Sequence, residues 1–218
     1  MSDDALFREV DEEVRQDQFK KLWSRHGNAV IGLCIAVVAG VAGFKGWQAW
    51  QLQKAETAGQ TYFAMAKLAG QGKAEEALKL IPTIDHAGYA ELARMREAGL
   101  LQAQGKTEEA VKAFDAIAAD SAIDSSMRDL ARIRAGYALA DTAKPADLAA
   151  RLGSFDAAGN PWRHAAREIE ALAAWKAGDY PATDKLVKAI LSDPETPDGV
   201  RRRAQSLADL LLPLLPKT

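Results

Sequence analysis

The sequence predicts an all-α protein with one N-terminal transmembrane helix, then a solenoid of about four helical hairpins and a C-terminal capping helix. Three observations predict this fold class. The composition is 48% hydrophobic but only 7% aromatic, which favours close-packed helices over a sheet core, where aromatic and β-branched side chains dominate. An apolar run begins at Ala29, and a stretch that starts at Gly72 recurs 33 residues later, at Gly105.

The charge balance excludes one class of partner. The chain carries 28 Lys and Arg against 30 Asp and Glu, so it lacks the concentrated positive field that holds phosphate backbones. We therefore predict no nucleic-acid partner. The single cysteine, Cys34, cannot form a disulfide within the chain.

The apolar run over 29–44 reads AVIGLCIAVVAGVAGF and contains no charged residue. A membrane-spanning helix needs about 20 mostly apolar residues, so the flanking residues decide the interpretation. Trp23 precedes the run, and Trp47 and Trp50 follow it, as expected for aromatic belts at the two interfaces. We predict a transmembrane helix over 29–50. A buried core helix and a cleaved signal peptide stay open as alternatives, although the long acidic segment before the run is unlike a signal peptide.

Basic residues near the apolar run predict its orientation. Those before it are Arg8, Arg15, Lys20, Lys21 and Arg25, and those after it, up to residue 60, are Lys45 and Lys54. By the positive-inside rule the N-terminus is cytoplasmic and the larger C-terminal part is translocated. In a bacterium this is a single-pass inner (cell) membrane protein with a periplasmic domain.

Two features of the N-terminal part suggest contacts. Gly32, Ala36 and Gly40 recur every four residues, a ridge that lets another membrane helix approach closely, although glycine and alanine are also common in such helices. Residues 1–28 are predicted to form a cytoplasmic amphipathic arm, with Leu6, Val10 and Val14 on one stripe. Both a protein partner and the lipid surface are open as its target.

Helical hairpins are predicted for residues 51–196. The two similar stretches read GKAEEALKL from Gly72 and GKTEEAVKAF from Gly105, and a third turn is expected at Gly178. One more unit fits between them, turning at about 141–143 without a glycine, with Pro145 in the first turn of its second helix. A period of this length belongs to helical solenoids.

These hairpins resemble the tetratricopeptide repeat, a helical hairpin with small residues where its helices cross and glycine at the turn, and the second unit matches it best. In the second unit, Ala98 and Ala110 stand where the two helices cross, and Phe114 supplies the large apolar side chain. In the first unit, Ile81 and Pro82 shorten the second helix. Residues 197–218 are predicted to form the capping helix and tail, with Leu207, Leu210 and Leu211 over the last repeat.

No catalytic, cofactor-binding or metal-binding residues are predicted, and we expect no enzymatic activity. The Gly-Lys-Thr sequence at 105–107 lacks the preceding glycine that a phosphate-binding loop needs. His26, His86 and His164 are scattered and lack a ligand partner at metal-binding spacing.

Arginines on the predicted first helices are the candidate groove residues. They are Arg94, Arg128, Arg132, Arg163 and Arg167. If they point inward, they make a groove suited to carboxylates or acidic extended peptides. The alternative is that they lie on solvated faces and pair with neighbouring acids such as Asp129 and Glu168.

The order of these segments resembles a bacterial family, the ancillary Sec translocon subunits known as YfgM-like proteins. The resemblance rests on FREVDEEVRQDQFKKLW in the arm, WQAW after the apolar run and GKTEEAVKAF in the second repeat. It implies a non-enzymatic scaffold whose partners are Sec translocon subunits, a membrane-anchored periplasmic chaperone and membrane lipid, with no small-molecule substrate. A structural adaptor for envelope assembly or cell division is the alternative.

Overall fold

Nine α-helices make up most of the part of the chain that the structure, a computed structural model, describes: residues 3–215, without the side chains of 3–14 and 16–19. They are α1 (Asp3–Gly70), α2 (Ala74–Leu80), α3 (Ala87–Ala103), α4 (Thr107–Ala119), α5 (Ser125–Leu139), α6 (Pro145–Leu152), α7 (Arg163–Lys176), α8 (Tyr180–Ser192) and α9 (Asp198–Leu211). No strand occurs over 3–215. The predicted all-α class is therefore confirmed.

The chain divides into two compact units, Met1–Thr57 and Ala58–Thr218. Within the first unit α1 carries the apolar run, whose large side chains, such as Leu33 and Val38, are exposed. The stretch Lys20–Gly70 is long and apolar enough to cross a membrane, and only 6% of its most apolar window is buried. A buried core helix would have most of this window covered. The stripe predicted for Leu6, Val10 and Val14 lies outside the described side chains.

The second unit is a series of helical hairpins whose turns use glycine where it was predicted. Gly72, Gly105 and Gly178 have φ of +76°, +77° and +76°, a left-handed conformation that glycine adopts without strain. At each turn the residue after the glycine donates its N–H to a backbone carbonyl of the preceding helix. Lys106 N–H donates to the Leu101 carbonyl at 3.0 Å, and Asp179 N–H donates to the Ala174 carbonyl at 2.9 Å. These bonds satisfy carbonyls at the end of a helix that would otherwise lack partners.

The third hairpin turns without glycine, also as predicted. The N–H groups of Thr142 and Ala143 both donate to the Leu139 carbonyl, at 3.0 and 2.8 Å. The second helix of this hairpin, α6, then begins at Pro145, where the missing N–H costs no helical hydrogen bond. In the first hairpin α2 ends at Leu80 and gives way to a 3₁₀ turn, Ile81–Thr83, which contains Pro82.

The core is a row of small apolar clusters, each shared between neighbouring helices. One cluster joins α3, α4 and α5 around Phe114, Ile117 and Ala131, and the next joins α5, α6 and α7 around Leu148, Leu152 and Ile169. Each hairpin therefore buries its apolar face only against its neighbours, which is the packing of a solenoid. The helix-crossing residues Ala98 and Ala110 are fully buried, as expected.

The capping helix α9 covers the last hairpin, and one part of its prediction was wrong. Leu211 is buried and Leu207 packs against the same cluster as Ala171 and Val187. Leu210, expected to join them, is 59% exposed. Residues 207 and 211 are four apart and share one helical face, whereas residue 210 is turned about 60° away from residue 207 at 100° per residue.

Candidate functional site

The first helices of the hairpins carry the predicted arginines. Most of these arginines form ion pairs with acidic residues of the second unit. Arg94 of α3 donates to Asp120 at 2.9 Å. Arg132 of α5 donates to Asp129, three residues earlier on the same helix, at 2.8 Å. Arg128 has a buried Nε that finds no hydrogen-bond partner among the described residues. Arg132 thus makes the pair with Asp129 that was the alternative to a groove, whereas Arg94 pairs with Asp120, an acid that was not among the expected partners.

Two of the arginines come together at the N-terminal end of α7. Arg163 donates to Asp193 from Nε at 3.0 Å and from Nη2 at 3.3 Å, and Arg167 Nη1 lies 3.7 Å from the same carboxylate. The buried His164 places its Nε2 3.0 Å from Asp193 Oδ2. The Arg163 guanidinium and neighbouring donors hold the pKa of Asp193 well below its usual range. This cluster fixes the α8–α9 connection against α7.

A second polar cluster links α5 and α7, the first helices of two successive hairpins, to the capping helix α9. Glu168 of α7 is buried and accepts two hydrogen bonds from Arg203 of α9, from Nε at 2.5 Å and from Nη2 at 2.7 Å. Tyr137 of α5 donates its hydroxyl to Glu168 Oε2 at 2.7 Å. Burial, together with the hydrogen bond to Glu168 and its charge, raises the pKa of Tyr137. One carboxylate therefore ties α5, α7 and α9 together.

This second cluster lies at one side of a cavity beneath the capping helix. The cavity has a volume of about 330 Å³. Its walls are apolar apart from the three polar residues, and they are formed by Ala171, Leu172, Val187, Ile190, Ala204 and Leu207. Ligand cavities in proteins begin at about this size and commonly combine apolar walls with a few placed polar groups.

The Tyr137–Glu168–Arg203 cluster was not predicted as a site from the sequence, although a signal for it exists. Glu168 and Arg203 are 35 residues apart, and Tyr137 and Glu168 are 31 apart. Both separations are close to the repeat period, so residues one period apart occupy neighbouring positions on α5, α7 and α9. Searching for opposite charges at that spacing would have found the pair.

The predicted small-residue ridge lies in the first unit. Gly32, Ala36 and Gly40 are all exposed, and a Cβ placed at either glycine would meet no atom within 4 Å. The flanking Trp23, Trp47 and Trp50 are exposed as well. A metal site is not formed by any group of histidine, cysteine, aspartate or glutamate side chains in the described part of the chain.

The helical hairpins, their glycine turns and the shared core clusters define a helical-repeat protein of the α-solenoid class. A tetratricopeptide repeat-like domain family model matches residues 20–170, and the chain belongs to this family. Neither the curated proteins nor the solved structures give a significant match. Domains of this kind are typically non-catalytic protein-binding modules, so the fold suggests a protein-interaction scaffold with protein partners.

Proposed function

We propose that this protein is a membrane-anchored scaffold that associates with the Sec translocon and a periplasmic chaperone and assists newly translocated proteins. The observation that carries the proposal is the pairing of a tetratricopeptide repeat-like domain with an exposed apolar helix in one chain. An anchor of this kind raises the local concentration of the repeat domain at its partner without any chemistry.

The anchor supports a particular orientation. Arg15, Lys20, Lys21 and Arg25 precede the apolar run and are exposed, and positive charge is retained on the cytoplasmic side. The repeat domain is then periplasmic, and residues 29–50 span the inner membrane. The exposed tryptophans at both ends of the run match the two interfaces of such a span.

Orientation is tested by protease accessibility in intact and permeabilised spheroplasts. The proposal expects the repeat domain to be cleaved in intact spheroplasts, which expose the periplasmic face. A domain that is cleaved only after permeabilisation would refute the periplasmic placement.

The translocon and chaperone partners come from the resemblance of the arm, the apolar run and the second repeat to the YfgM-like proteins. The ridge of Gly32, Ala36 and Gly40 supports a contact inside the membrane because its face has no side chain beyond a methyl group. A structural adaptor for envelope assembly or cell division is supported by the same anchor and repeat domain. Its partners would be cell-wall or division proteins.

Site-specific photo-crosslinking in cells separates these two functions. The crosslinking amino acid is placed at Ala36 or Gly40 on the ridge, and at Val38 as the matched control, since Val38 lies about 200° around the helix from Ala36. The proposal expects translocon subunits to be captured from Ala36 and Gly40 and much less from Val38. Capture of division or cell-wall proteins would favour the adaptor.

A further inference from the structure

The cavity beneath α9 has mostly apolar walls, and three polar residues, Tyr137, Glu168 and Arg203, also line it. Its interior walls include Ala171, Val187, Ile190 and Ala204, which are all buried side chains. The cavity is partly open to solvent, and covering apolar surface that water reaches is favourable. An apolar group that entered would therefore gain contacts with these walls.

The polar side chains that line the cavity determine which polar group of a ligand it can bind. Both oxygens of Glu168 already accept hydrogen bonds from Arg203, and Oε2 accepts another from Tyr137. Arg203 itself has a 59% exposed side chain, and its Nη1 makes no hydrogen bond in the described part of the chain. Arg203 Nη1 is therefore the donor left to meet a ligand, and a carboxylate is a strong acceptor for it.

We propose that this cavity is a peptide-binding pocket that takes one aromatic or branched aliphatic side chain of an extended partner segment, with an adjacent carboxylate of that segment bound at Arg203. This inference rests on the proposed scaffold function and names the surface that the scaffold uses. The pocket belongs to the last hairpin and the capping helix, so the capping helix both closes the core and forms one wall of the pocket.

The probe is a fluorescently labelled peptide, acetyl-Gly-Ser-Asp-Phe-Asp-Ser-Gly-amide, titrated with the full chain in detergent and followed by fluorescence anisotropy. Replacing its phenylalanine by alanine removes the side chain that fills the cavity, and we expect binding to weaken by about tenfold or more. Replacing both aspartates by asparagine removes the partner of Arg203, and we expect binding to weaken by about tenfold.

Two variants of α9 test the location of the pocket. Leu207→Trp places a larger side chain at the cavity wall and is expected to weaken binding of the phenylalanine peptide by about tenfold or more. Leu210→Trp introduces the same residue on the same helix at an exposed position and is expected to leave binding within about twofold. The comparison of the phenylalanine and alanine peptides uses only the wild-type chain. It therefore tests the pocket even if the Leu207→Trp variant does not fold.

The inference is overturned if the alanine peptide binds as well as the phenylalanine peptide, if neither binds at about 1 mM, or if a folded Leu207→Trp protein binds like the wild type. Capture of membrane partners by the wild-type chain is measured in parallel. If the chain captures partners but does not bind the peptide, the proposed pocket is refuted and the scaffold function stands. If it neither captures partners nor binds the peptide, both proposals are refuted.

Discussion

Glu168 of α7 and Arg203 of α9 are joined by two hydrogen bonds, of 2.5 and 2.7 Å, that cross one full repeat of the solenoid. The carboxylate is buried and the guanidinium is largely exposed. Tyr137 of α5 adds a third hydrogen bond. The pair therefore holds the capping helix to the repeat beside it, next to the cavity that both residues line.

Replacing Glu168 by glutamine should loosen the capping helix. The ion pair with Arg203 is lost, and the free energy of unfolding should fall by about 1–2 kcal/mol, a modest value because solvent screens the exposed guanidinium. Urea unfolding followed by circular dichroism measures the change. Glu109→Gln, at an exposed position on α4, is the control and should change the stability by less than about 0.5 kcal/mol. Equal effects of the two variants would contradict the account.

The Asp193 cluster should make stability depend on acid pH. The folded protein holds the pKa of Asp193 below its usual value, chiefly through Arg163, so its contribution is present above the unfolded value of about 3.9 and is lost as the pH falls below it. Asp193→Asn should therefore lower Tm at pH 7, and its difference from the wild type should shrink below about pH 4. Asp209→Asn, at an exposed position of α9, serves as the control. A difference that stays constant down to about pH 3 would refute this role.

Two phenylalanines at opposite extremes of burial test the core. Phe114 is 1% exposed and fills the second hairpin, whereas Phe63 of α1 is 69% exposed. Phe114→Ala should cost about 3–5 kcal/mol because it removes buried apolar surface and leaves a cavity. Phe63→Ala should cost less than about 1 kcal/mol. Chemical denaturation of both variants measures the difference, and comparable losses would show that Phe114 does not lie in the core.

Two helical glycines test the packing between repeats. A Cβ at Gly136 of α5 would lie 3.1 Å from the side chains of both Ile169 and Leu152, whereas one at Gly99 of α3 would meet nothing within 4 Å. Gly136→Val should destabilise the protein by about 1–3 kcal/mol through overpacking. Gly99→Val should be neutral or stabilising by a few tenths of a kcal/mol, roughly the difference in helix propensity. The opposite order in thermal unfolding would contradict the interhelical distances.

Much of the fold could be predicted from the sequence because its signals are local. Gly105 and Gly178 mark turns that need a left-handed residue, Pro145 marks a helix start, and the 33-residue spacing sets the repeat. Leu210 was placed wrongly because a leucine-rich helix offers several apolar faces, and only the neighbouring hairpin selects the one that is buried.

The polar clusters were harder to predict because they depend on distances between repeats. Arg163 and Arg167 were candidates either for a groove or for pairs with acids, and the structure brings both to Asp193, which lies beyond the end of α8. The sequence does not state which acid such an arginine meets, since that depends on how far each helix is rotated against the next. Glu168 and Arg203 are likewise joined only once α9 packs against α7.

We propose that one chain carries both a membrane anchor and a protein-binding domain. The most direct test of this proposal is co-purification of the full chain from mildly solubilised membranes, beside a chain that starts at Gln51, with the bound proteins identified by mass spectrometry. The account predicts translocon subunits and a periplasmic chaperone with the full chain, and loss of the translocon alone from the shorter one. Division or cell-wall proteins in their place, or no enriched protein with either chain, would contradict it.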